Sequence, residues 1–286
     1  MKILITGAAG QLGQALLGAA GRQGWEALAT DLPELDITAP REIREQLRRH
    51  RPEAVINAAA ATRVDDLEAD RDLAFRVNSL GPRNLAVACR QLDLKLIHLS
   101  SDYVFDGAKR DPYVEWDATG PLSVYGWSKL LGERLVREQC PNHFIVRTAW
   151  LYGLPGPNFV NAILARGRSL APGQDFKVVH DQRGTPTSAL ALAHQLLALA
   201  ATTAFGTYHA TCHGVATWYE FAGLILATAG LEVRPRPCTT AEFPRPAPRP
   251  ANSVLENRML QLEGLDLMPD WRIAFAQFWE VCGQGL

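Results

Sequence analysis

The feature that most constrains this chain stands near its start. There "KILITGAAGQLG" runs from a short apolar, β-branched stretch through Gly7, Gly10 and Gly13 into a helix-forming segment. Glycines at that spacing permit a tight turn and close backbone approach, while a helix N-terminus offers free N–H groups and the positive end of its dipole. Gln11 and Leu12 lie within the same turn. The expectation is a cradle for a dinucleotide pyrophosphate, with a plain strand-to-helix turn as the alternative.

The same alternation fills the first half of the sequence. "EALATD", "AVINAAA", "LKLIHLSS" and "HFIVRTAW" read as further strands, between helical patterns near residues 11–23, 40–50, 70–92 and 125–139. These strands are continuously apolar, so both sheet faces are covered, as in a parallel sheet between helices. The fold class is α/β: a Rossmann-type doubly wound parallel sheet with a smaller C-terminal substrate-binding lobe.

After Trp150 come "YGLPGPN", a helix to about Leu170, a strand "KVVHD", a helix from Ser188 to Ala201 and a strand "GTYHAT". Residues 1–152 with about 177–210 are expected to form the dinucleotide-binding domain, and about 153–176 with 211–286 the lobe. The segment 234–253, "RPRPCTTAEFPRPAPRPANS", is too proline-rich for regular structure and reads as an ordered loop held by the terminal aromatic helix.

Bulk properties remove several function classes. With 29 basic and 30 acidic residues the chain has no charge excess to draw it to nucleic acid or a membrane surface. The N-terminal apolar run is too short for a leader or a span. Cys89, Cys140, Cys212, Cys238 and Cys282 form no CxxC pair. Reduced thiols and a cytoplasmic location are expected.

Asp31 ends the second strand, where a carboxylate would accept hydrogen bonds from the adenosine ribose or cap the next turn. No arginine stands beside it, which leans towards NADH without excluding NADPH. Asp36 and Ile37 are candidates for the adenine edge, and Ala58, Ala59 and Ala60 are small enough for a cofactor to lie close above the sheet.

Chemistry in such a sheet sits outside the carboxyl ends of the strands. "HLSSDYVFDG" ends the fourth strand and "VYGWSK" opens the next helix. A carbonyl reductase needs a proton donor, a neighbour that lowers its pKa and a hydroxyl to fix the carbonyl oxygen. Tyr125, Lys129 and a serine of the strand end would supply these, Tyr125 and Lys129 sharing one helix face at i and i+4. A half-exposed helix face is the alternative for the pair alone. "YHATCH" brings His209, Cys212 and His213 close, but a third ligand with zinc geometry is not apparent, so no metal is expected. Trp218, Phe221, Trp271, Phe275, Phe278 and Trp279 read as packing.

"TGAAGQLG", "NAAAATRVDDLE", "RVNSLGPRNLA", "SSDYVFDG", "SVYGWSK", "VRTAWLYG", "DQRGTPT", "TYHATCHGVATWYEFA" and "RPANSVL" together resemble the extended short-chain dehydrogenase/reductases, in particular the dTDP-4-dehydrorhamnose reductases. The resemblance runs over nearly the whole chain. It implies NAD(P)H-dependent reduction of the C4 keto group of dTDP-4-dehydro-L-rhamnose to dTDP-L-rhamnose. Tyr125 would be the proton donor, Lys129 its pKa-lowering partner and ribose ligand, and Ser101 the polarising hydroxyl, where the family usually has threonine. Asp102 would place the sugar, Trp150 would lie against the sugar or its nucleotide, and Asn78 would support the catalytic group from a neighbouring helix beside the cofactor. Arg183, in the "DQRGTPT" loop, and Arg249 with Asn252 would approach the nucleotide sugar. Some members dimerise through a metal held by acidic residues of the first helix, but Ala15 follows Gln14 where a glutamate is expected, leaving monomer or homodimer open. Two other readings stay open: a reductase or epimerase of another nucleotide sugar, and a non-catalytic NADP-binding subunit resembling the methionine adenosyltransferase β subunit.

Overall fold

A computed structural model describes residues 1–283. Its centre is set by strand β1 (Lys2–Thr6), whose Ile3, Leu4 and Ile5 are fully buried. Side chains alternate across a strand, so Ile3 and Ile5 meet Leu16 and Ala19 of the helix Gln11–Arg22 and Leu192 and Leu196 of the helix Ala189–Ala200. Leu4 meets Ile43, Leu47 and Leu85 of the helices Pro40–His50 and Gly81–Gln91 on the other face. Two apolar layers therefore sandwich one sheet.

That sheet has six parallel strands: β1, β2 (Glu26–Thr30), β3 (Ala54–Asn57), β4 (Lys95–Ser101), β5 (His143–Thr148) and the edge strand Gly206–His209. In space the order is Gly206–His209, β5, β4, β3, β1, β2. The chain reverses its direction of winding between β1 and β3, which opens a crevice at their carboxyl ends. A buried polar chain crosses the same strands: Thr6 Oγ1 donates to Asn57 Oδ1 at 2.7 Å, and Asn57 Nδ2 meets His98 Nδ1 at 3.0 Å. Burial holds the His98 imidazole well below its usual pKa, so it is neutral and accepts from the amide.

Two expectations need correction. The helix expected over residues 70–92 is broken: Arg71–Phe75 leads into a wide π turn, Arg76–Leu80, before Gly81–Gln91 resumes. The turn carries Asn78. The proline-rich segment also contains a strand, Arg234–Cys238, paired in parallel with Asp175–Val179 as a separate two-stranded sheet. Pro235 and Pro237 alternate with Arg234, Arg236 and Cys238, so the missing N–H groups all fall on one side and the other side remains able to pair. "KVVHD" thus joins this small sheet rather than the central one, which only "GTYH" completes. Among the described residues, no helix is long and apolar enough to cross a membrane.

The long helix Val124–Gln139 packs across the π turn, and the contact depends on Gly132. A Cβ there would overlap the Asn78 carbonyl oxygen, and neither backbone can yield without moving its element. Gly132→Ala is expected to lower stability by about 1–3 kcal/mol in urea unfolding, more than helix propensity alone would allow, since alanine is the better helix former. An unchanged or raised midpoint would show that the two elements are free to separate.

Candidate active site

The crevice is a cleft of about 820 Å³ that opens at the carboxyl ends of β1, β3, β4 and β5. Its volume suits a ligand of dinucleotide size. At one end Gly7 has φ +68°, and a Cβ at that position would lie 2.6 Å from the Ala59 nitrogen, so the first turn and the Ala58–Ala60 segment lie against each other only because the side chain is absent. Gly10, Gln11, Leu12 and Gly13 complete this wall. Asp31 closes it: Oδ2 accepts from the Ala9 N–H at 2.8 Å and Oδ1 from Leu32 at 2.9 Å. Asp36 and Ile37 line the cleft beyond. Backbone cradle, helix N-terminus and carboxylate together fit a dinucleotide.

At the other end, β4 delivers Ser101 and Asp102, and the helix Val124–Gln139 delivers Tyr125 and Lys129. The helix start is fixed twice: Ser123 Oγ accepts from the Gly126 N–H, and Glu68 Oε1 from the Val124 N–H. Asn78 ties this helix to the cleft floor. Its Oδ1 accepts from the Ala61 N–H at 2.9 Å, and its Nδ2 donates to the Ala61 carbonyl at 2.9 Å and to Ser128 Oγ at 3.1 Å.

Ser101 Oγ donates to Asp102 Oδ1 at 2.7 Å and also engages the Tyr125 phenol. Asp102 is buried, and its Oδ2 has no protein partner; burial raises its pKa to about 6, against the Ser101 hydrogen bond and the nearby Ser253 hydroxyl. Desolvation pushes the Tyr125 phenol up to about 12, with the Ser101 hydrogen bond working against it and the Asp102 charge adding to it. Lys129 is buried, its Nζ donates to the Leu99 carbonyl at 2.5 Å, and its pKa falls to about 8 through burial, opposed by Glu133. The expected direct action of Lys129 on Tyr125 is therefore not seen. The ammonium is directed to the end of β4, and the groups acting on the phenol are Ser101 and Asp102.

Trp150 also lines the cleft and stacks on Trp218, with centroids 3.5 Å apart and planes 6° from parallel. Trp150 has a left-handed backbone, φ 46°, and Gly184 of "DQRGTPT" lies flat against its indole, where a Cβ would collide. Trp218 was expected to be packing only; it is a cleft wall, held by a hydrogen bond from Nε1 to Gln182 Oε1 at 3.1 Å. Its place in "ATWYEFA" gives no periodic sign of this. Tyr103 and Thr148 line the cleft as well. Tyr103 lies edge-on to Tyr125 at 5.5 Å, and its position two residues beyond Ser101 was the only available signal.

Four expected site residues are not in the lining. Asn78 is buried behind it, in the contacts above. Arg183 is exposed; its N–H donates to the Ala251 carbonyl and its carbonyl accepts from Ser253. Arg249 makes a two-pronged ion pair with Asp65, at 2.6 and 2.9 Å, which holds that carboxyl below its usual pKa. Asn252 donates to the Lys109 carbonyl at 2.8 Å. Of the metal candidates, His209 Nδ1 faces the carbonyls of Tyr113 and Glu256, and His213 faces Asp266.

The buried lysine gives stability a pH dependence. Its folded-state pKa of about 8 lies below 10.5, so between these values the unfolded chain binds a proton that the folded chain has released. The cost to the folded state is fully present below pH 8 and is relieved as pH rises towards 10.5. Relative to Lys129→Met, the parent should gain about 2–3 kcal/mol between pH 7 and pH 10 in urea unfolding. A constant difference across that range would contradict the buried, depressed ammonium.

The chain is similar to known proteins along nearly its whole length. A family model described as the RmlD substrate binding domain matches residues 1–282. The dTDP-4-dehydrorhamnose reductase of Streptomyces griseus is 43% identical, over 98% of this chain and 94% of its own. A probable dTDP-4,6-dihydroxy-2-methyloxan-3-one 4-ketoreductase of Streptomyces antibioticus is 42% identical, over 97% and 94%. The crystal structure of the Bacillus anthracis dTDP-4-dehydrorhamnose reductase in complex with NADP superposes with a TM-score of 0.94 at 38% identity, covering 97% of this chain and 98% of that one. With these matches covering nearly the whole chain, it belongs to the RmlD family of dTDP-4-dehydrorhamnose reductases.

Proposed function

We propose that this enzyme reduces the C4 keto group of dTDP-4-dehydro-L-rhamnose to the alcohol of dTDP-L-rhamnose. The observation that carries the reading is the convergence, in one cleft, of a dinucleotide cradle with Ser101, Asp102, Tyr125 and Lys129. Gly7–Gly13 would hold the pyrophosphate of a reduced nicotinamide dinucleotide and Ala58–Ala60 would let it lie close above the sheet; when bound it would supply the hydride. The protein supplies the proton and the geometry. Ser101 holds the carbonyl oxygen beside the Tyr125 phenol. With its pKa pushed up to about 12, Tyr125 stays protonated at neutral pH and yields its proton to the strongly basic alkoxide oxygen that hydride addition leaves at C4. Lys129, whose ammonium is held at the Leu99 carbonyl beside the cleft, would bind the nicotinamide ribose rather than act on the phenol directly.

The free Oδ2 of Asp102 accepts from a sugar hydroxyl, and the Trp150–Trp218 wall covers an apolar face of the substrate. The six-stranded sheet with its flanking helices carries the dinucleotide, and the segments around the small sheet of Asp175–Val179 and Arg234–Cys238 face the nucleotide sugar. Arg249 approaches the substrate only after loosening Asp65, and Arg183 acts from outside the cleft. In this reading the enzyme acts in the cytoplasm, as a monomer or homodimer.

NADH is the favoured donor. Asp31 and Asp36 are the charged side chains along the cofactor end, and the one cation in the described lining, Lys129, lies at the reacting end. A 2′-phosphate would therefore meet carboxylates. The S. antibioticus ketoreductase, almost as similar as the S. griseus enzyme, makes another dTDP-linked 4-keto sugar the second reading.

A coupled assay with dTDP-4-dehydro-L-rhamnose, following NADH and NADPH oxidation separately, tests the proposal; faster turnover of a sibling 4-keto sugar would establish the second reading. Tyr125→Phe should retain cofactor affinity in a fluorescence titration and lose about 10²–10⁴-fold in turnover. Parental turnover in that variant would remove Tyr125 from the mechanism. Asp31→Ser should raise the NADPH/NADH ratio of kcat/KM by about tenfold, the size of one like-charge contact near a protein surface. An unchanged ratio would mean that Asp31 does not read the ribose.

A further inference from the structure

Tyr125 and Lys129 have a third companion on their helix face. Glu133 follows Lys129 by one further turn and is fully buried. Its Oε1 accepts from Ser100 Oγ at 2.6 Å and from Arg147 Nε at 2.9 Å, and its Oε2 from Arg147 Nη2 at 2.8 Å. Ser100 and Arg147 are register partners on β4 and β5, so two strands fix one carboxylate against the helix. Buried ion pairs are a poor source of stability, since apolar replacements often serve as well or better. A carboxylate held this tightly beneath the site therefore calls for another role.

The charges around Lys129 indicate that role. On its own helix, Lys129 has Glu133 one turn further on, at i+4, both side chains buried, and the Glu133 charge acts to raise the lysine's pKa. From β4 it faces His98, which burial keeps neutral, and from β5 the Arg147 guanidinium lies beyond Glu133, bound to it by both prongs. Arg147 is further held by the Glu115 carbonyl at 3.2 Å and faces His209 on the edge strand at 3.4 Å. Asp102 lies on the cleft side, next to Ser101. Glu133 is thus the anion that stands between two buried cations.

We propose that Glu133 is a positioning residue for the reduction: clamped by Arg147 and Ser100, it keeps the buried Lys129 ammonium charged and so sets the alkaline limit of the enzyme. The inference rests on the reductase reading for its kinetic part only. The lysine's protonation can be read without turnover.

Glu133→Gln leaves the Arg147 charge unpaired, so Glu133→Gln/Arg147→Met, which removes both charges, is made alongside it. Lys2, Lys95, Lys109 and Lys177 are the only other lysines in the sequence, and Lys129→Met assigns the Lys129 signal in ε-¹³C-lysine NMR. The Lys129 midpoint should fall by about one pH unit or more in both variants, the size expected when a close opposite charge is lost. The alkaline limb of kcat/KM, measured with NADH and dTDP-4-dehydro-L-rhamnose, should move down with it. A Lys129 midpoint that stays at the parental value in the folded double variant would overturn the proposal and leave Glu133 a structural partner of Arg147. Absence of turnover in the parent would count against the reductase reading alone, because the NMR titration still decides on Glu133.

Discussion

The geometry of the site hangs on one buried amide. Asn78 spends both its oxygen and its nitrogen on Ala61, where the chain leaves β3, and its nitrogen also reaches Ser128 on the helix that carries Tyr125 and Lys129. Next to it, Ser79 Oγ donates to the Ser128 carbonyl at 2.7 Å. The π turn makes this possible by widening the helix at the point where the two residues must face the catalytic helix. The cleft floor and Tyr125 are thereby placed relative to each other by hydrogen bonds that lie behind the cleft lining. That is the kind of support a reacting geometry requires, because small misplacements of a donor are costly in rate.

Above that support, the acid–base properties come from enclosure. Tyr125, Lys129 and Asp102 are each moved towards their neutral forms by loss of water, and each is checked by a specific partner: Ser101 for the phenol, Glu133 for the ammonium, Ser101 and Ser253 for the carboxylate. Ser101 therefore has two duties, one towards Tyr125 and one towards Asp102. A hydroxyl suffices for both, which explains how serine serves where a threonine would also do.

Much of the fold could be read from the chain because its signals are local. Unbroken apolar strands such as "AVIN" announce a sheet covered on both faces, and Gly7, Gly10 and Gly13 announce the turn that opens it. What escaped depends on distant partners. Trp218 looked like packing because its stacking on Trp150 needs a left-handed backbone at one residue and a bare backbone at Gly184. Arg249 was expected at the substrate, yet its partner Asp65 lies 184 residues away along the sequence. The strand Arg234–Cys238 was hidden by its prolines, whose harm depends on which side pairs. The π turn has the composition of any helix.

The contact between Trp150 and Gly184 also limits how this enzyme can change. A side chain at position 184 has nowhere to go while the indole is present, and loss of the indole would leave Trp218 facing an empty wall. Neither position can drift through single substitutions without an unfit intermediate. The two motifs that carry them, far apart in sequence, are coupled through one contact, so this wall changes shape only when both positions change together.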